Sequence, residues 1–121
     1  MPTRVFVYGT LRRGESNHHL IAAATFVREA RTPAAYTLFA FEGHPGMGDG
    51  GTEAIVGECF DVDAATLAEL DVLEDHPRWY QRREIALDDG ETVIAYVLPP
   101  HFTEGRAVIP GGDWVRWRRG R

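Results

Sequence analysis

A run of β-branched and aromatic residues, Val5-Phe6-Val7-Tyr8, stops abruptly at Gly9-Thr10. Such a run reads as a strand, and the glycine as the point where the backbone leaves it. The remaining chain has to be arranged around this strand and its break. Gly9 permits a turn that a side chain would obstruct. Successive N–H groups at such a break can converge on an anion or a carbonyl oxygen. A plain strand end satisfies the same pattern, and spacing alone favours it. The case for a binding loop therefore depends on the rest of the chain.

With 121 residues, 44% hydrophobic and 26% charged, one soluble globular domain with a substantial core is expected. No apolar run reaches the length of a membrane span, and the N-terminus lacks a basic-then-apolar signal pattern. A cytoplasmic protein with no membrane partner is the expectation, and a monomer is favoured. Cys59 is the only cysteine, which excludes an internal disulfide and any cysteine-rich zinc site. There is no lysine, so all 13 basic residues are arginine. That removes Schiff-base chemistry and the P-loop lysine. The single serine, Ser16, is not in a nucleophile elbow. Chemistry is left to carboxylates, histidines, tyrosines, threonines and backbone amides.

The net charge of −5 is unevenly spread: no arginine falls between Arg31 and Arg78, and the tail Arg116, Arg118, Arg119, Arg121 is basic. A basic tail can touch nucleic acid. Here the acidic body would repel phosphate, so a solvated end and no nucleic-acid partner are expected. Five histidines (His18, His19, His44, His76, His101) raise a metal reading. Only His18 and His19 are adjacent, and neighbours on a helix point about 100° apart. Solvated or capping histidines fit better, and no cofactor is expected.

Residues 3–8 form the first predicted strand, with a short helix over 18–23 behind Glu15-Ser16-Asn17. Residues 25–27 and 35–41 read as strands. Residues 42–51 read as a long glycine-rich loop, of the kind that either borders a site or is a surface excursion. Residues 54–62 form another strand. Its alternation puts Val56, Glu58, Phe60 and Val62 on one face, so Glu58 needs partners, structural rather than catalytic. Cys59 reads as a small buried hydrophobe. Asp63 caps a helix over 64–74. Strands 79–87 and 91–98 flank an Asp88-Asp89-Gly90 turn. Pro99-Pro100 stops the second, and 107–109 is a last short strand. Trp114 and Trp117 are expected to pack the tail onto the body.

One carboxylate is out of place. In the 64–74 helix, Leu67, Leu70 and Glu74 share a face, while Glu69 points to water. The leucines must face the core, so Glu74 is aimed inward unless the last turn frays, which the pattern alone slightly favours. An inward carboxylate has its pKa raised by desolvation and suits proton transfer near neutrality. Asp71 lies near the same face as a local hydrogen-bond partner.

Taken together, four blocks resemble the gamma-glutamylcyclotransferase-like family, closest to its gamma-glutamylamine cyclotransferase branch. They are Val5-Phe6-Val7-Tyr8-Gly9-Thr10-Leu11-Arg12-Arg13-Gly14 with Asn17-His18; Val56-Gly57-Glu58-Cys59-Phe60; Leu70-Asp71-Val72-Leu73-Glu74 with Pro77 and Tyr80-Gln81-Arg82; and Gly111-Gly112-Asp113-Trp114. The resemblance covers nearly the whole chain. It implies an α+β fold, a small mixed-strand β-barrel with a few short helices. It implies that Glu74 is the catalytic acid/base, that Tyr8, Gly9, Thr10 and Leu11 bind the glutamyl part, and that Tyr80 lies near the cavity. The implied substrate is a small γ-glutamyl amide. Its own α-amine attacks the γ-carbonyl, releasing 5-oxoproline and a free amine, so no protein nucleophile or metal is needed. The 42–51 segment departs from characterised cyclotransferases and is a candidate for shaping the leaving-group pocket. The leaving amine stays open between γ-glutamyl-ε-lysine, a γ-glutamyl dipeptide and a biosynthetic intermediate. A non-catalytic binding module on the same fold is the alternative.

Overall fold

The computed structural model describes residues 2–120. Arg121, the end of the basic tail, lies outside them. The strands are β1 Thr3–Val7, β2 Thr25–Arg31, β3 Tyr36–Phe41, β4 His44–Asp49, β5 Val56–Val62, β6 Gln81–Ala86, β7 Thr92–Val97 and β8 Ala107–Val108. The helices are α1 Ala64–Leu73 and α2 Trp114–Arg119, with short 3-10 turns at His18–Ile21 and Pro100–Phe102.

Five strands form one sheet in the order β2-β5-β1-β7-β6, and three form a second in the order β4-β3-β8. β1 pairs antiparallel with β5 and parallel with β7, so it lies at the centre of the larger sheet. Its alternating side chains enter two separate cores. Phe6 and Tyr8 join Leu38, Met47, Ile109 and Trp114. Val5 and Val7 join Ile21, Leu70, Tyr80 and Tyr96. A strand covered on both faces has to be apolar throughout, which explains why residues 5–8 show no polar alternation.

Several expectations are corrected. The strand pairing among the described residues does not close into a barrel. β2 and β6 remain as edges, because among the described residues a single backbone hydrogen bond, from the Asp88 N–H to the Arg31 carbonyl, spans their ends; β4 meets the chain just past β7 through one parallel bridge, Gly48 with Leu98. Both edges carry charge: Arg28, Glu29 and Arg31 on β2, Arg82, Arg83 and Glu84 on β6, which discourages further strand pairing. Most of the predicted 42–51 loop is strand. β4 pairs in register with β3, Phe41 opposite His44 through Tyr36 opposite Asp49. Its glycines are packing positions: a Cβ on Gly46 would clash with the Leu98 side chain. The helix expected over 18–23 is only one 3-10 turn, and β2 runs on to Arg31.

The tail is held more firmly than a solvated end. Trp114 is buried and Trp117 packs against the same core. Asp113 caps α2 by accepting from the Arg116 N–H and also pairs with Arg12 at 2.9 Å. Arg118 donates twice to Glu15, at 2.9 and 2.8 Å, and the Glu15 side chain is almost fully buried. Thus the C-terminal helix is anchored to the segment that follows β1.

Tyr8 ties the two sheets together. Its buried hydroxyl donates to the Tyr96 carbonyl (2.7 Å) and accepts from the Met47 N–H (3.0 Å). Tyr8→Phe removes a partner from both, and a buried polar group left unpaired costs about 1–3 kcal/mol. Chemical denaturation is expected to show a loss in that range.

Candidate active site

Two local structures place the parts of the site. The first is the break after β1. Gly9 lies so close to the β3–β4 hairpin that a Cβ would sit 2.8 Å from the Pro45 ring. Glycine is needed here for close approach. The turn is then fixed from several sides. Arg12 N–H donates to the Gly9 carbonyl at 3.1 Å, and Asn17 N–H to the Thr10 carbonyl at 2.9 Å. Asn17 Nδ2 donates to Thr10 Oγ1, also at 2.9 Å. His18 Nδ1 lies 3.0 Å from the Leu11 carbonyl. Glu58, buried as its position on β5 required, accepts from the Arg13 N–H at 2.9 Å and faces the Arg12 and Arg13 guanidinium groups. These contacts use carbonyls and flanking amides. The N–H groups of Thr10 and Leu11 donate to no acceptor among the described residues.

The second is the end of α1. Leu70 is fully buried, Leu67 packs against the same core and Glu69 is exposed, as the helical spacing required. Asp63 caps the start, accepting from the Thr66 N–H at 2.8 Å. Glu74 is the C-cap, one residue past the helix. Asp75 follows with φ 52°, the left-handed conformation that closes a Schellman motif. Its N–H reaches the Val72 carbonyl and the His76 N–H the Asp71 carbonyl. Glu74 itself donates to the Leu70 carbonyl and accepts from the Tyr80 N–H. The backbone at Glu74 is therefore pinned on both sides, and the helix end does not fray.

These structures meet in a cavity of about 260 Å³. Tyr8, Gly9, Thr10, Leu11, Glu74 and Tyr80, the six residues singled out from the sequence, all line it. Ser16, Asn17, His44, Pro45, Trp79 and Tyr96 line it as well. Asn17 already stood in the block resembling the family opening, and His44 and Pro45 in the segment expected to shape the pocket. Trp79 and Tyr96 carry no comparable local signal. Asp71 is a hydrogen-bond partner of Tyr96 and Arg82, at 2.7 Å each, with no bond to Glu74.

The hydrogen bonding of the three tyrosines decides the electrostatics. Each phenol has one proton to give. Tyr8 gives it to the Tyr96 carbonyl, Tyr80 to the Pro45 carbonyl at 2.8 Å, and Tyr96 to the Asp71 carboxylate. Burial, with the nearby Glu74 charge adding to it, holds the Tyr8 and Tyr80 hydroxyls above the usual phenol range. Burial and the Asp71 hydrogen bond do the same for Tyr96. None has a proton left for Glu74. Among the described residues no hydrogen bond or ion pair reaches the Glu74 carboxylate, and burial pushes its pKa up to about 7. Among the described residues no other carboxylate, and no arginine, lines the cavity. Among the described residues no three His, Cys, Asp or Glu side chains are grouped to hold a metal ion. No helix among them is long and apolar enough to cross a membrane.

The comparison with known proteins agrees with this architecture. The chain belongs to the gamma-glutamyl cyclotransferase, AIG2-like family, whose model matches residues 5–116. A Vibrio cholerae protein named for the same family is 38% identical over 112 residues, covering 93% of this chain and 95% of its own. A uropathogenic E. coli-specific protein superposes with a TM-score of 0.85 at 32% identity, covering 100% of this chain and 98% of its own. The solution structure of YtfP from Escherichia coli has a TM-score of 0.73 at 32% identity, covering 98% and 100%.

Two outcomes follow from the geometry. Because the native carboxyl of Glu74 holds its proton more tightly than an unfolded one, ionising it costs native stability. That cost is absent below about pH 4.5 and complete above about pH 7. Glu74→Gln should therefore gain stability over the parent as pH rises through this window, by roughly 3 kcal/mol at its limit. Thermal melts at pH 5 and pH 8 test the sign. Gly9→Ala should push the hairpin at Pro45 away from the loop; a fall in stability of about 1–3 kcal/mol is expected for overpacking.

Proposed function

We propose that this chain is a cyclotransferase acting on γ-glutamyl amides, releasing 5-oxoproline and a free amine, with Glu74 as general base and then general acid. One observation carries the reading. Among the described residues Glu74 is the one carboxylate in a cavity whose tyrosine protons are all committed elsewhere, and its pKa, pushed up to about 7, suits proton transfer at neutral pH.

In this reaction the glutamyl end lies against the turn after β1. The free N–H groups of Thr10 and Leu11 are suited to the substrate's α-carboxylate or to the oxyanion that develops on the γ-carbonyl. The α-ammonium first gives a proton to ionised Glu74. The freed amine then attacks the γ-carbonyl carbon, forming the C–N bond of a five-membered ring. Protonated Glu74 returns the proton to the departing nitrogen as the old C–N bond breaks. It then takes the second proton that the ring nitrogen sheds in becoming the lactam N–H, passing it to the released amine. Both reacting groups belong to one molecule. Holding them in a near-attack geometry can contribute on the order of 7–11 kcal/mol. The reaction therefore needs no serine, cysteine or lysine nucleophile from the protein. Tyr8 and Tyr80 contribute their rings as walls, because their hydroxyls are already engaged.

Release of 5-oxoproline from a panel of γ-glutamyl amides is the direct test. Glu74→Gln should lose about 10²–10⁴-fold in kcat. In the parent, kcat/KM should rise with pH through an apparent pKa near 7 as Glu74 ionises. A folded Glu74→Gln protein that keeps full turnover would falsify the assignment.

A further inference from the structure

This inference rests on the cyclotransferase reading and concerns the leaving amine. If the turn after β1 takes the glutamyl end, the walls left beside Glu74 are Gly43, His44, Pro45, Leu73 and Trp79, with the Tyr80 and Tyr96 rings. Both phenols have their protons engaged, so His44 is the one titratable side chain among these whose proton is still to be placed.

The protonation of His44 can be read from its neighbours. Tyr80 gives its single proton to the Pro45 carbonyl at 2.8 Å. The 3.0 Å contact between His44 Nδ1 and the Tyr80 oxygen therefore needs its proton on Nδ1. Neutral imidazole carries only one N–H, so Nε2 is left as a bare acceptor, and no donor reaches it among the described residues. Burial, partly offset by a backbone hydrogen bond at Pro45, lowers the histidine's pKa, which keeps the ring neutral. The ring is also fixed in position. It stacks on Phe41 with planes 9° apart and centroids 5.1 Å apart. It meets Trp79 edge to face at 5.3 Å. Trp79 also meets Phe41 at 72°.

From this arrangement we infer that the leaving-group side selects a flat, uncharged amine, aromatic in the best case, bearing one hydrogen-bond donor for His44 Nε2. The rings of His44 and Trp79 offer faces and edges for a planar group. A γ-glutamyl-ε-lysine leaving group would bring an ammonium and a carboxylate to a wall holding neither counter-charge, and burying unpaired charge is costly. Arg106, outside the cavity lining, holds its guanidinium 4.3 Å from the centre of the Phe41 ring that stacks on His44. It would oppose a cationic leaving group further.

The test compares four substrates by 5-oxoproline release: γ-glutamyl-4-hydroxyanilide, γ-glutamylanilide, γ-glutamyl-ε-lysine and γ-glutamylalanine. The hydroxyanilide should exceed the lysine and alanine substrates by at least about tenfold in kcat/KM, the worth of roughly one good hydrogen bond. In His44→Phe, which keeps an aromatic ring, the ratio of hydroxyanilide to anilide should fall to about one. A structural role for His44 would lower both substrates together and leave that ratio intact. Long-range ¹H–¹⁵N NMR of the parent should place the proton on Nδ1 of His44. Equal or better turnover of the lysine substrate overturns the inference. Preference for γ-glutamylalanine also overturns it and moves the determinant to Arg106. A proton on Nε2 removes its basis.

If no γ-glutamyl amide releases 5-oxoproline, the cyclotransferase reading fails, and the pocket inference is judged by binding. Glutaric acid mono-anilides lack the α-amine and cannot cyclise. The 4-hydroxy form should shift the His44 and Trp79 resonances and bind at least about tenfold tighter than glutarate. Equal affinity would overturn the inference on its own.

Discussion

The site depends on three phenolic protons pointing away from one carboxylate. Tyr8, Tyr80 and Tyr96 line the same cavity as Glu74. Each donates to an acceptor supplied by the fold: the Tyr96 carbonyl, the Pro45 carbonyl and Asp71. These bonds serve two ends at once. They tie β1, β4, β6 and α1 to the end of β7, and they leave no phenolic proton for Glu74. A carboxylate desolvated without a compensating hydrogen bond is unfavourable for folding. The surrounding bonds make the arrangement sustainable, a local conflict of the kind expected at functional positions.

Rigidity in the right places follows from the same economy of hydrogen bonds. The turn after β1 is held through its carbonyls and its flanks, by Asn17, His18, Glu58 and the pairing of Arg12 with Asp113. Its Thr10 and Leu11 amides are left over. The end of α1 is held by a Schellman motif and by the Tyr80 N–H, while the Glu74 carboxylate has no hydrogen bond among the described residues. In both cases the backbone is pinned and the chemically useful group remains unpaired. Such preorganisation matters most for an intramolecular reaction, where orientation supplies much of the rate. The anchoring of α2 to Glu15 and Arg12 extends this support to the C-terminus.

Much of the framework was legible in the residues alone. The break at Gly9, the cap at Asp63, the inward side of α1 and the structural role of Glu58 all rest on local rules. Those rules include strand alternation, helical spacing and the need of a buried charge for partners. The 42–51 segment was misread because glycine and proline usually mark loops. Here glycine occurs in a strand because Gly46 packs against Leu98, a contact between residues far apart in sequence. The expected barrel did not close because closure needs backbone bonds along the facing edges β2 and β6, where the described residues supply one, from Asp88 to Arg31. Local patterning carries no count of those.

The sequence by itself determined which chemistry was available. Without lysine, with one serine and one buried cysteine, little but carboxylates, histidines, tyrosines and amides remained, and the helical register aimed Glu74 inward. Tertiary structure alone decided that Glu74 stands unpaired and that His44 offers Nε2. Both outcomes turn on where a neighbour's single proton goes. That is settled by carbonyls brought close from distant parts of the chain, Pro45 to Tyr80 and Tyr96 to Tyr8.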